Sequence, residues 1–273
     1  MEYEIKPAHR LSLDIKELWD FRELFFFFTW RDIKIKYKQT FLGALWAILQ
    51  PLMMMLVFTF FFNHALNVPS ENMPYPIFVF SGLMLWNVFS SGITNAGNSM
   101  VTNANIIKKI YFPRLIIPVS AILSSLVDYA MTFFILIGLL LYYRTHFHFS
   151  NLLIGLPISL IITLFTTFGL GSFLAALNVK YRDFRYVIPF FVQFLLFLTP
   201  VIYPVSILPA GWIRETLQLL NPLSGAIDTF RAAFSDNGID FILAGKSFIV
   251  SLLLSALGVT YFRKTEYYFA DLA

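Results

Sequence analysis

The feature that most constrains this chain is a series of apolar blocks, each about twenty residues or longer and nearly free of charge. A hydrocarbon core of ~30 Å is crossed by about 20 residues of helix. Inside it, every backbone N–H and C=O must find a partner within the segment or a closed sheet. Blocks at 41–66, 76–97, 115–143, 152–177, 187–205 and 241–262 therefore predict six spanning helices and an all-α polytopic membrane protein. Transmembrane strands would alternate in polarity over runs of about 10 residues, and these blocks do not. Of 273 residues, 58% are hydrophobic and 13% charged, and the mean hydropathy is +0.70. A soluble domain carries about 25% charged residues.

Lysine and arginine placement orients the spans. The segment before the first block holds eight (Lys6, Arg10, Lys16, Arg22, Arg31, Lys34, Lys36, Lys38). The connection after the second block holds Lys108, Lys109 and Arg114, that after the fourth Lys180, Arg182 and Arg185, and the tail Arg263 and Lys264. Those sixteen of the twenty basic residues mark the cytoplasmic side by the positive-inside rule. Six spans with both termini in the cytoplasm satisfy the count and the charge together. The division is then a cytoplasmic N-terminus at 1–40, a six-span domain at 41–262 and a cytoplasmic tail at 263–273. The start lacks a short apolar core followed by a cleavage site, so no removable signal peptide is expected and the first span serves as the insertion signal. A pI of 9.2 with a net charge of only +4 reflects this bias, not a nucleic-acid surface.

Two stretches are neither spanning nor free loop. Residues 11–30 place Ile15, Leu18, Trp19, Phe25 and Phe26 on one helical face and Lys16, Glu17, Asp20 and Glu23 on the other, as in a helix lying at the headgroup boundary. Asp14, with Glu17 three residues on, is placed to cap its start. Residues 204–235 are broken by proline and glycine into short amphipathic pieces containing Trp212, Leu217, Leu219 and Leu220. They predict short re-entrant helices between spans five and six, forming a lid on the external side.

Several motifs carry little. Gly245-Lys246-Ser247 ends like a phosphate loop, but Asp240 stands where the first glycine is required and an apolar span follows. No other ATP site is present in the sequence. His146 and His148 lack a nearby third ligand, and no nucleophile–base–acid set suggests catalysis. The absence of cysteine removes disulfides and thiolate chemistry. Asp128, the one acid deep in a span, is a functional candidate by default. Standing alone, it is expected to hydrogen-bond Ser124 or Ser125, and a proton-coupled carrier is the alternative.

Specific strings resemble a family. RDIKIKYKQTFLGALWAILQP (31–51), NANIIKKIYFPRLIIP (103–118), KYRDFRYVIPFF (180–191), TPVIYP (199–204) and NPLSGAIDTFR (221–231) are similar, in order and spacing, to the ABC-2 type permeases that export O-antigens, capsular polysaccharides and teichoic acids. The resemblance implies a pore of two copies in the bacterial inner membrane, with two copies of a separate ATPase beneath that bind ATP and Mg, so that this chain binds no cofactor itself. The substrate implied is a glycan on a lipid diphosphate, with an ABC-2 exporter of drugs or lipids as the rival. Arg31, Lys34 and Lys38 would then meet the diphosphate. Asn103, Ile106, Ile107, Lys108 and Lys109 would form the element that docks on the ATPase, ended by Pro113. Aromatic rings stack on sugar faces without fixing their register, which makes Trp46, Phe191, Phe194 and Tyr203 candidates for a glycan channel. Gly43 and Pro51 would shape a lateral opening.

Overall fold

The computed structural model describes residues 15–38, 43–70, 73–235, 238–266 and 269. Among these, five helices are long and apolar enough to cross a membrane. The first, α3 (Gly43–Phe58), continues as a π-helical segment Thr59–Ala65. The others are α4 (Tyr75–Thr102), α6 (Ile116–Tyr143), α7 (Phe149–Lys180) and α11 (Phe241–Glu266). Two helices precede them, α1 (Ile15–Asp20) and α2 (Arg22–Lys38), and the four-residue α5 (Ala104–Ile107) joins α4 to α6. The sixth predicted span is α8 (Phe184–Leu198), and the short helices α9 (Trp212–Leu220) and α10 (Pro222–Arg231) follow it.

The block expected at 187–205 is corrected. The α8 helix has 15 residues, about 22 Å of rise, so the helical part of this apolar segment is shorter than the other five. Pro200 causes the stop, because the residue before a proline is pushed out of the helical region. Thr199 is accordingly extended, with φ −94 and ψ 134. The pieces expected beyond it are present as helices. All of α10 but Asp228 is buried, whereas α9 leaves Trp212, Ile213, Leu219 and Leu220 exposed.

The central element is α4, which packs against α6 and α7 and more lightly against α3, α8 and α10. In its most apolar window 78% of residues are buried, against 11% for α3. Small residues let the outer helices approach closely. At the crossing of α7 and α11, a Cβ on Gly258 would overlap the Gly169 carbonyl, so only glycine fits. Asn178 of α7 donates to the Gly97 carbonyl of α4 at 2.9 Å, and Ser255 of α11 to the Phe165 carbonyl of α7 at 2.7 Å.

A second, smaller core gathers at the end of the bundle that carries α2 and α5. Phe28 of α2, Ile107 of α5, Phe112, Leu115, Val179, Phe262 and Phe269 meet there, and Leu18, Phe21, Leu24 and Phe25 pack against them. The apolar side predicted for 11–30 thus divides. Phe25 and Leu18 turn to protein, while Trp19 and Phe26 stay outward. The expected cap, Asp14, lies outside the described residues.

Candidate functional site

The α2 helix extends past the boundary read from sequence and packs lengthwise against α6. Arg31, Lys34 and Lys38 do not act as one free strip. The Arg31 guanidinium donates to Asp32 Oδ1 through Nε at 3.0 Å and Nη2 at 2.8 Å, and lies 4.7 Å from the Phe28 ring. The Lys34 ammonium sits 5.5 Å from the Trp30 ring, and both Lys34 and Lys38 are exposed. A phosphate would therefore meet Lys34 and Lys38 directly and would compete with Asp32 for Arg31.

Lys36 and Tyr37 turn the other way, and both donate to the carboxylate of Asp128 on α6. The expected serine partners are corrected. Ser124 donates to the Ala121 carbonyl at 2.8 Å and Ser125 to the Ile122 carbonyl at 2.7 Å, each within its own helix. Such back-bonding to the preceding turn satisfies a hydroxyl without a remote partner. Burial, with the Asp128 carboxylate at hydrogen-bond range, pushes the Tyr37 hydroxyl well above its ordinary value of 10.0, which keeps it a donor. Asp128 stands about 18 Å up α6 from Ile116, so the clasp fastens the far end of α2 well into the bundle. Sequence reasoning counted Lys36 as one more basic residue and missed it. The available signal was Lys36 itself, which falls on the helix side away from Lys34 and Lys38.

The connection carrying α5 also differs from expectation. Asn103 is buried and donates to the Ser99 carbonyl at 2.8 Å. Ile107 is 5% exposed and belongs to the second core, and Ile106 is partly covered. Asn103 and Ile107 thus face inward and seat the turn. What the turn presents is Lys108, Lys109, Ile110 and Tyr111, the last two 61% and 68% exposed. The turn is braced from outside α5. Tyr111 reaches Glu17 of α1 at 3.4 Å, Arg114 donates to the Glu266 carbonyl of α11, and Arg263 pairs with Glu266 at 2.9 Å.

The four candidate channel aromatics do not share a face. Trp46 and Phe194 are outward, Phe191 packs partly into the main core, and Tyr203 donates to the Phe197 carbonyl at 2.9 Å. The broken backbone beyond α8 is repaired by side chains from elsewhere in the chain. Buried Arg231 donates to the carbonyls of Phe78 (3.1 and 2.9 Å), Pro200 (2.8 Å) and Val201 (2.7 Å), and its guanidinium lies 3.5 Å from the Phe78 ring centroid. Tyr75 donates to the Ile202 carbonyl at 2.6 Å, and Asn221 to Thr199 Oγ1 at 2.9 Å while capping α10. A Cβ on Gly82 would come within 2.8 Å of the Arg231 guanidinium, so glycine makes room for it. The strings TPVIYP and NPLSGAIDTFR are thus two halves of one polar joint. In the sequence Arg231 is one of the four basic residues outside the cytoplasmic set, and nothing local marks it as the centre of this joint.

The Gly-Lys-Ser decoy falls inside α11 as continuous helix, with Lys246 exposed near its start. Among the described residues, no group of His, Cys, Asp and Glu is placed to hold a metal ion.

The model of the ABC-2 type transporter family matches residues 23–235, from the start of α2 through α10 and the polar joint. The chain belongs to the ABC-2 type transporter family. It is similar to the O-antigen export system permease protein RfbA of Klebsiella pneumoniae, 30% identical over 244 residues, covering 89% of this chain and 92% of the relative. The RfbA protein of Myxococcus xanthus is 27% identical over 257 residues, covering 93% and 97%. The polysialic acid transport protein KpsM of Escherichia coli is 24% identical over 205 residues, covering 74% and 78%. Membership in the ABC-2 family makes this chain a multi-pass membrane subunit of a transporter, and the shared region contains the Asp128 clasp, the α5 turn and the Arg231 joint.

Proposed function

We propose that this chain is the pore-forming subunit of an ATP-driven exporter that moves a lipid-linked glycan, of the O-antigen or capsule type, across the bacterial inner membrane. The observation that carries the reading is the likeness, over about nine tenths of the chain, to permeases named for O-antigen export. Two copies of the chain form the pore, both termini face the cytoplasm, and two copies of a separate ATPase bind at the α5 turn and hold ATP and Mg. Lys108, Lys109, Ile110 and Tyr111 supply the contact, with Ile106 and Ile107 as its seat.

The lipid diphosphate is an anion confined to one leaflet, and exposed Lys34 and Lys38 of α2 suit it as point charges, with Arg31 available as a two-pronged donor. The pairing of Asp128 with Lys36 and Tyr37 supports a fastening role over proton carriage. Converting Lys34 and Lys38 to Gln tests the reading. Exposed charge contacts are worth about 0.5–1 kcal/mol each, so surface glycan should fall about tenfold while lipid-linked glycan accumulates in the membrane. Topology should hold, because Lys16, Arg22, Lys108 and Lys109 still bias insertion. Normal surface glycan at normal protein level would reduce the two lysines to an orientation signal.

A further inference from the structure

Every residue of α4 that reaches the surface is polar except Val101. Asn87, Ser91, Thr94, Asn95, Asn98 and Thr102 follow the three- and four-residue spacing of one helical face over about 22 Å. No Asp, Glu, Lys or Arg occurs anywhere in α4. Outward faces of the neighbouring helices are apolar instead, with Phe134 and Leu141 on α6 and Leu153 and Ile161 on α7.

The polar groups of this face are only partly used within the chain. Ser91 donates to the Asn87 carbonyl at 2.6 Å, Thr94 to the Ser90 carbonyl at 2.8 Å and Thr102 to the Asn98 carbonyl at 3.0 Å, which leaves each hydroxyl oxygen as an acceptor. Asn98 donates to the Thr94 carbonyl at 2.9 Å and accepts from Asn178 at 3.1 Å. The Asn87 and Asn95 carboxamides make no hydrogen bond among the described residues, and each carries two N–H donors and a carbonyl acceptor. Amides without partners are too costly to face hydrocarbon. The stripe runs only from mid-helix to the end that joins α5; from Tyr75 to Trp86 α4 is buried all round.

We propose that this stripe is the wet wall of the translocation path, a vestibule open toward the α5 end, and that its amides and hydroxyls take the hydroxyl groups of a sugar chain. The inference rests on the glycan-exporter reading and deepens it. Neutral groups that both donate and accept match sugar hydroxyls, and several equivalent stations along one line let a chain step forward without a deep well at any of them.

The cysteine-free sequence supplies the test. With the partner ATPase present in inside-out membrane vesicles, Asn87→Cys and Asn95→Cys should react with a hydrophilic maleimide at least about tenfold faster than Phe134→Cys, since a thiol reacts as the thiolate that water supports. Asn87→Leu with Asn95→Leu should lower surface glycan about tenfold at unchanged protein level, for two lost hydrogen bonds. Asn87→Gln with Asn95→Gln should keep most of it. Slow labelling at both positions overturns the proposal, as does a disulfide forming between two copies through Asn95→Cys, which would make the stripe a contact between subunits. Deleting the permease separates the two claims. Surface glycan that persists without it sinks the exporter reading, whereas glycan lost on deletion but kept in the Leu variants sinks only the stripe.

Discussion

Replacing Asp128 with Asn removes one charge from the clasp and little else. The amide oxygen can still accept from Tyr37, but Lys36 loses its counter-ion. Charge-assisted hydrogen bonds contribute about 1.5–3 kcal/mol where water is excluded, and exposed pairs about 0–1. The Asp128 side chain is 15% exposed and that of Lys36 37%, so the pair lies between these limits. A loss of about 2 kcal/mol follows, or about 4–8 °C in the thermal midpoint of the detergent-solubilised protein for a chain of this size. Lys36→Gln should cost a similar amount. The double variant should lose little more than either single one, because the second change removes a group whose partner has already gone. A coupling of about 1.5 kcal/mol in that cycle is the signature of direct contact. Strictly additive losses would refute the clasp and would return Asp128 to the isolated residue suggested by its sequence context.

Arg231→Leu should leave the buried Pro200 and Val201 carbonyls unmatched, at about 1–3 kcal/mol each, and yield little monodisperse protein on size exclusion. Arg231→Lys should rescue it poorly, since a single ammonium cannot reproduce the planar fork. At the α5 turn, Ile110→Asp with Tyr111→Asp should leave protein level intact and abolish co-purification with the ATPase. Ile107→Asp should instead deplete the protein itself by burying a carboxylate in the second core; equal depletion by both variants would count against the inside–outside assignment.

The long helices were legible because hydrocarbon imposes length and internal hydrogen bonding on any crossing segment, and neither depends on tertiary contact. The α8 boundary was lost because the apolar run continues through Val201 and Ile202 while the backbone turns at Thr199 and Pro200. Hydropathy cannot register that the carbonyls there are satisfied by Arg231 and Tyr75, which lie far away along the chain. Ile107 and Ile110 illustrate the same limit at the other end. Both are isoleucines of one short loop, yet one is core and the other surface, and only the positions of Phe28, Phe112 and Phe262 decide which. Asp128 looked solitary because its partners lie beyond residue 30, where the surface helix was expected to end, in the basic stretch before the first span. The polar face of α4 was written in the spacing of Asn87, Thr94 and Asn98, but gained meaning only when the rest of that helix was seen to be buried.

The central claim is ATP-driven movement of a lipid-linked glycan through this subunit. The direct measurement reconstitutes the permease, with and without its partner ATPase, in vesicles whose outer leaflet carries a lipid-diphosphate-linked glycan, and follows protection of that glycan from an added glycosidase. Protection that requires both chains and hydrolysable ATP, and that fails with a non-hydrolysable analogue, is the predicted result. Glycan that stays fully cleavable while the same complex moves a drug or an unglycosylated lipid, or glycan moved by the permease alone, would contradict the account.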